Sequence, residues 1–164
     1  AGASEHHQER GHFDARYSSG ADEHASGLWG LEEVGFDAPS GGTTFMVRNI
    51  PESCTTEMLL REWPIDGSWD LLYLPMNSGG KASLGYAFVN FTSAAHASAF
   101  VDSWQGRRLS GFSTGRRLKV TLADVQGFEA NVLQLKKKPF GRLRFRQCMP
   151  IIVKDSRLVE LSEV

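Results

Sequence analysis

From Thr43 onward the apolar positions alternate, then recur at helical spacing, then alternate again. Thr43 to Pro51 reads as a strand, with Phe45 and Val47 on one face, Met46 and Arg48 on the other, and Pro51 closing it. Thr55 to Trp63 reads as a Thr-capped helix with Leu59, Leu60 and Trp63 inward, ended by Pro64. Asp70 to Pro75 is a second strand, and a flexible Asn77–Lys81 loop leads to a third, Leu84 to Phe91. In that strand Tyr86, Phe88 and Asn90 share one face, and Ala87, Val89 and Phe91 share the other. Gly85 lets the backbone enter it with no side chain in the way. Ser93 caps a helix through Trp104, with Ala95, Ala99, Phe100 and Trp104 inward. A basic loop with Arg116 and Arg117 feeds the last strand, Leu118 to Leu122.

The order over residues 43–124 is βαββαβ. It predicts an α+β fold, a ferredoxin-like sandwich with a four-stranded antiparallel sheet, two helices on one face and the other face open. The open face would carry Met46, Arg48, Tyr73, Tyr86, Phe88, Asn90, Lys119 and Thr121. Rings mixed with cations suit unpaired bases and phosphates, since stacking contributes roughly 1–3 kcal/mol per base. The plainer reading of the same residues is a half-buried sheet face covered by another part of the chain.

A helical extension follows, at 125–164. Phe128, Val132 and Leu135 form an apolar stripe that predicts a helix over 126–138, and Lys136, Lys137 and Lys138 fall at its C-terminus, where cations are favoured. Such a helix packs on the domain edge, or lies over the sheet and extends or masks its surface. Arg142, Arg144 and Arg146 alternate with Leu143 and Phe145, as in an exposed strand or a tail touching RNA. Residues 149–153 predict a short strand docked on the sheet edge.

Charge changes the picture by being uneven. Residues 1–42 hold Arg10 and Arg16 against eight acids, a net of −6, whereas residues 43–164 hold sixteen bases against eleven acids, a net of +5. The folded part suits phosphate. The leader, rich in Gly, Ser, His and acids, is expected to be disordered, with Leu28, Trp29, Leu31, Val34 and Phe36 as a short docking element, either a partner motif or a fold-back onto the domain. Its histidines, His6, His7, His12 and His24, lack metal-ligand spacing, and no cofactor or metal is expected. Cys54 and Cys148 lie far apart and read as reduced thiols of an intracellular protein. The first residue is Ala1 rather than Met, as in a piece of a longer protein, and the opening residues do not read as a secretory signal. No window approaches the ~18 apolar residues of a membrane span. His96, the one histidine of the folded part, has no placed nucleophile or carboxylate, so no enzyme is expected.

With these words in place the chain resembles an RNA-recognition motif (RRM), Phe45–Ile50 standing as its hexamer and Leu84–Phe91 as its octamer. More narrowly it resembles the C-terminal RRM of the Mei-two-like family of meiosis-regulating RNA-binding proteins. That likeness rests on Thr44–Pro51, Met58–Trp63, Leu72–Pro75, Gly85–Phe91, Val125–Gly127 and Cys148–Ile151. It implies single-stranded RNA as partner, with Tyr86 and Phe88 as the stacking residues. Met46 stands where the hexamer usually has an aromatic, and Leu84 where the octamer usually has a base, so Arg48 or Lys81 would replace the phosphate contact. The expected RNA-binding set is Tyr86, Phe88, Met46, Arg48, Asn90, Tyr73, Lys119 and Lys81. The likeness also implies a nuclear or nucleocytoplasmic post-transcriptional regulator. A monomer with no membrane contact is expected, and the C-terminal helix or the acidic leader would serve any protein partner. The rival is a protein-binding RRM whose sheet the extension covers.

Overall fold

The computed structural model describes residues 41–112, 115–140 and 148–164. Nearly all of the acidic leader, with its histidines, and the Arg142, Arg144 and Arg146 alternation lie outside the described residues. The elements are β1 (Thr44–Arg48), α1 (Thr56–Glu62), β2 (Trp69–Tyr73), β3 (Tyr86–Phe91), α2 (Ala94–Trp104), β4 (Lys119–Leu122), α3 (Phe128–Lys136), β5 (Ile151–Lys154) and β6 (Arg157–Val159). A 3-10 turn, Leu161–Glu163, follows. The βαββαβ core is the ferredoxin-like α+β sandwich that the sequence predicts, but the sheet has six strands in the order β4-β1-β3-β2-β5-β6. The added pair follows from an edge that would otherwise be open. Ile151 and Ile152 pair with Leu72 and Leu71 of β2, so that Ile152 and Leu71 are fully buried. The β5–β6 hairpin closes through Asp155 and Ser156, both at positive φ, as a two-residue turn between twisted strands demands.

Local chemistry sets the boundaries. The Thr55 hydroxyl accepts the Met58 amide at 3.2 Å and the Ser93 hydroxyl accepts that of His96 at 3.1 Å, so both helices begin where a side chain caps them. The Ser93 cap also fixes the phase of α2. Its inward residues are Ala97, Phe100, Val101 and Trp104, and the expected Ala95 and Ala99 are exposed, because the stripe with the larger side chains wins the core. Gly85 enters β3 at φ +87°, where other residues are strained, and its carbonyl accepts the Ile50 amide at 2.9 Å. Leu84, left outside the strand, is exposed. The Asn77–Lys81 loop turns on Asn77, whose Oδ1 accepts the Lys81 and Ala82 amides.

Both faces of the sheet are buried. On the helical side Phe45, Val47, Leu72, Ala87, Val89, Phe91 and Val120 pack with Leu59, Trp63, Ala97 and Val101. Phe91 and Trp63 each meet Phe100, at centroid separations of 4.8 and 5.2 Å. The opposite face, expected to be open, is a second core: Phe88 and Met46 are each 1% exposed. The physical reason is α3. Its stripe needs an apolar partner, and Val132 and Leu135 are buried with Asn131 as the helix crosses this face.

The Phe88 ring is therefore structural. Phe88→Ala is expected to destabilise the fold by about 3–5 kcal/mol, the usual range for emptying a buried aromatic site. Denaturant unfolding measures it, and a loss below about 1 kcal/mol would mean that the ring is open to water in solution.

Candidate nucleic-acid interface

Register sorts the second face into three rows, because residues directly opposite one another on paired strands share a face. In the first, Arg48 stands between Tyr86 and Lys119. In the second, Met46 lies between Thr121 and Phe88, and Phe88 opposes Tyr73. The third runs Thr44, Asn90, Leu71, Ile152. A register shift between Trp69 and Leu71 brings Leu71 and Tyr73 onto this face while Trp69 stays in the helical-side core.

The third row is tied to α3 by polar groups. Thr44 Oγ1 donates to Asn90 Oδ1 at 2.7 Å and accepts the Gly127 amide at 2.9 Å and Asn131 Nδ2 at 3.2 Å, which uses its one hydrogen and both lone pairs. Gln126 Oε1 accepts the Thr43 and Thr44 amides at 3.0 Å each, and its Nε2 donates to the carbonyls of Thr44 and Ala123. Gly127 takes φ +88° to turn the chain into the helix. At the far end, the Phe140 ring meets Tyr73 edge-on at 5.8 Å, and Lys138 Nζ stands 5.1 Å from the centre of the Tyr73 ring. Residues 125–140 thus cross the sheet from β1 to β2.

The expected site residues divide along these rows. Met46, Phe88, Asn90 (2% exposed) and Tyr73 (5%) are brought together, but beneath α3 and its flanks. Asn90 does not present its amide to solvent: Oδ1 accepts the Thr43 and Thr44 hydroxyls and Nδ2 donates to Asp70 Oδ1 at 2.7 Å. Tyr86 sits at the margin, 9% exposed, its ring 5.7 Å from that of Phe88 and nearly perpendicular to it. Arg48 and Lys119 are exposed beside it, and Lys81 is exposed on the turn that leads to β3. Gln126, Asn131 and Thr44 are the residues that sequence reasoning missed. In the sequence Val125–Gly127 stands out only through the family resemblance, and the polar Asn131 interrupts an otherwise apolar stripe.

Burial beside Asn90 pushes the Asp70 carboxyl above its ordinary value, against the hydrogen bond from Asn90, which acts in the opposite sense. Burial, with Glu62 nearby, pushes the Cys54 thiol up to about 11, and burial raises Cys148 as well, so both are protonated at neutral pH. His96 Nδ1 lies 2.9 Å from the Thr92 hydroxyl, which also reaches the carbonyls of Gly67 and Ser68. Among the described residues there is no cluster of His, Cys, Asp and Glu able to hold a metal, and no helix is long and apolar enough to cross a membrane.

A folded-state pKa above the unfolded one means that ionised Asp70 opposes folding once pH passes its raised range. Asp70→Asn keeps an acceptor for Asn90 and removes that charge. Its gain in stability is expected to be absent well below the ordinary aspartate range and to appear as pH rises through the Asp70 range, which unfolding midpoints at acid and neutral pH will read. Asn131→Ala removes a buried amide from the network and is expected to cost about 1–3 kcal/mol in the same assay; no loss would deny the network a structural role.

The family model for RNA recognition motif 2 matches residues 42–136. Curated relatives include Protein MEI2-like 4 of Oryza sativa subsp. japonica, 31% identical over 67% of this chain, and Protein MEI2-like 5 of the same organism, 34% identical over 67%. Protein MEI2-like 5 of Arabidopsis thaliana is 30% identical over 74%. The match spans only 11%, 14% and 15% of those three relatives. Among solved structures, the second RRM domain of yeast poly(U)-binding protein is 26% identical, covering 52% of this chain and 99% of its own at a TM-score of 0.43. The family match supports RNA binding as the general activity. The chain belongs to the RNA recognition motif 2 family, and its domain is an RRM of the kind found in MEI2-like proteins.

Proposed function

We propose that this domain binds single-stranded RNA along the first row, with Arg48 and Lys119 holding phosphates, Lys81 reaching in from the neighbouring turn, and the Tyr86 ring offered to a base. The observation that carries this reading is the exposure of Arg48 and Lys119, directly opposite each other at one end of a covered sheet face. Neighbouring strands are about 4.8 Å apart, so the row from Tyr86 to Lys119 spans roughly 10 Å, enough for one stacked base and the backbone beside it. Met46, Phe88, Asn90 and Tyr73 then support the row from below and would meet RNA only where α3 is displaced. The domain has no catalytic part in this reading. The role of the whole protein, post-transcriptional regulation of the MEI2-like type in or near the nucleus, is proposed from the family likeness.

The cover over Phe88 and Met46 is a specific observation in favour of a second reading, a motif that binds protein through its outer surfaces. A titration separates the two. Random single-stranded RNA pools are titrated into the 1–164 chain at two salt concentrations, against Arg48→Gln/Lys119→Gln. Binding by the parent chain is expected, and the double variant should lose affinity and lower the salt slope by about 1.4, at ~0.7 per phosphate contact on a single strand. Binding with an unchanged slope would contradict the first row as the site. No binding by the parent chain would put the protein-binding reading first.

A further inference from the structure

Beyond the sheet, the described residues between α2 and β4, 105–112 and 115–118, form two arms of a ribbon that the reading above does not use. From Ser103 to Ala123 the sequence holds five cations, Arg107, Arg108, Arg116, Arg117 and Lys119, and no acid. Gly106 donates its amide to the Leu118 carbonyl at 2.9 Å, and the Leu118 amide donates to Arg107 O at 2.7 Å, so the two arms run side by side. Leu109 and Leu118 are buried and anchor the ribbon, whereas all five cations are exposed. The ribbon is also braced by side-chain hydrogen bonds, one of them from Asn49 after β1. Arg117 Nη1 donates to Gly106 O at 3.0 Å, Arg108 Nε to Gly115 O at 3.2 Å, Asn49 Nδ2 to Arg117 O at 2.8 Å, and Gln105 Oε1 accepts the Val120 amide at 2.7 Å. The carboxylate that meets it in these bonds, Glu62, accepts the Ser110 amide at 3.1 Å. Like charges repel, and a fold that gathers exposed cations on one ribbon favours a polyanion that neutralises them.

Position selects the polyanion. Lys119 is both the last cation of the ribbon and the outer member of the first row, opposite Arg48, which is opposite Tyr86. A strand whose base lies at Tyr86 and whose phosphates lie at Arg48 and Lys119 leaves the sheet over β4 and meets the ribbon next. We infer that the ribbon is a second phosphate-binding surface, carrying the RNA backbone off the sheet edge and so lengthening the site beyond the sheet. This rests on RNA binding at the first row, and it names where the rest of the strand goes. The contacts are with phosphates, so the ribbon adds affinity and length dependence and no base preference.

The test uses Arg107→Gln/Arg116→Gln in the 1–164 chain, chosen because Arg108 and Arg117 hold backbone carbonyls. Random single-stranded RNA pools of 4 and 16 nucleotides serve as probes, with the unfolding midpoint as the control for folding. The double variant is expected to bind the 16-mers several-fold more weakly with a salt slope lower by about 1.4, and the 4-mers as tightly as the parent chain. Unchanged binding of both lengths by this variant, while Arg48→Gln/Lys119→Gln weakens both, would overturn the ribbon alone. Equal losses on both lengths would overturn it as an extension, since the arginines would then belong to the first row. Absence of binding by the parent chain would overturn the first-row reading and the ribbon with it.

Discussion

The hydroxyl of Thr44 is the point on which the sheet and its cover depend. Buried polar networks stabilise a unique packing only when every member is satisfied, and a missing partner costs more than the bond contributed. Thr44 spends its hydrogen on Asn90 and its lone pairs on Gly127 and Asn131. Asn90 in turn reaches Asp70 on the neighbouring strand. The third row of the sheet is thereby fixed to the start of α3 in one register, and the apolar contacts of Val132 and Leu135 follow from that placement. Gln126, bonding the amides and carbonyl of the same strand end, ties the turn into α3 to the end of β1.

Such a cover is more than a terminal helix resting on a surface. The chain leaves the sheet at β4, crosses as α3, and returns at β5, which pairs with β2. Both ends are held by strand pairing, and Phe140 adds a ring contact to Tyr73 before the return. Removing the cover would expose two fully buried large side chains, Phe88 and Met46, to water at about 25 cal/mol per Å² of apolar area. Phe88, Met46 and Tyr73, which an open sheet would offer to bases, are here the floor of a core, and the end of the face with Arg48 and Lys119, and Tyr86 at its margin, is what faces solvent.

The order of elements was legible because alternation and helical spacing report directly on which residues share a face. That is why the sequence alone puts Met46, Phe88, Tyr73 and Asn90 on one face, and register agrees. Alternation says nothing of what lies across from a face, however, and an aromatic strand reads alike under solvent or under a helix. The stripe of α3 signalled a buried surface without naming its partner. Asn131 and Gln126 were invisible as ties, since a polar residue among apolar ones reveals its role only through the group it bonds. Arg48 and Lys119 were legible for the opposite reason: an unpaired buried charge is so costly that a cation on a strand predicts its own exposure.

In the proposed function RNA meets the first row while the second and third stay closed. Proton cross-relaxation between protein and a bound single-stranded RNA reads this directly. Contacts are expected from RNA to the Tyr86 ring and to the Arg48 and Lys119 side chains, with the Tyr73 to Phe140 ring contact preserved and Phe88 silent. Base protons in contact with Phe88, together with loss of the Tyr73 to Phe140 contact, would contradict it and show that α3 gives way to RNA.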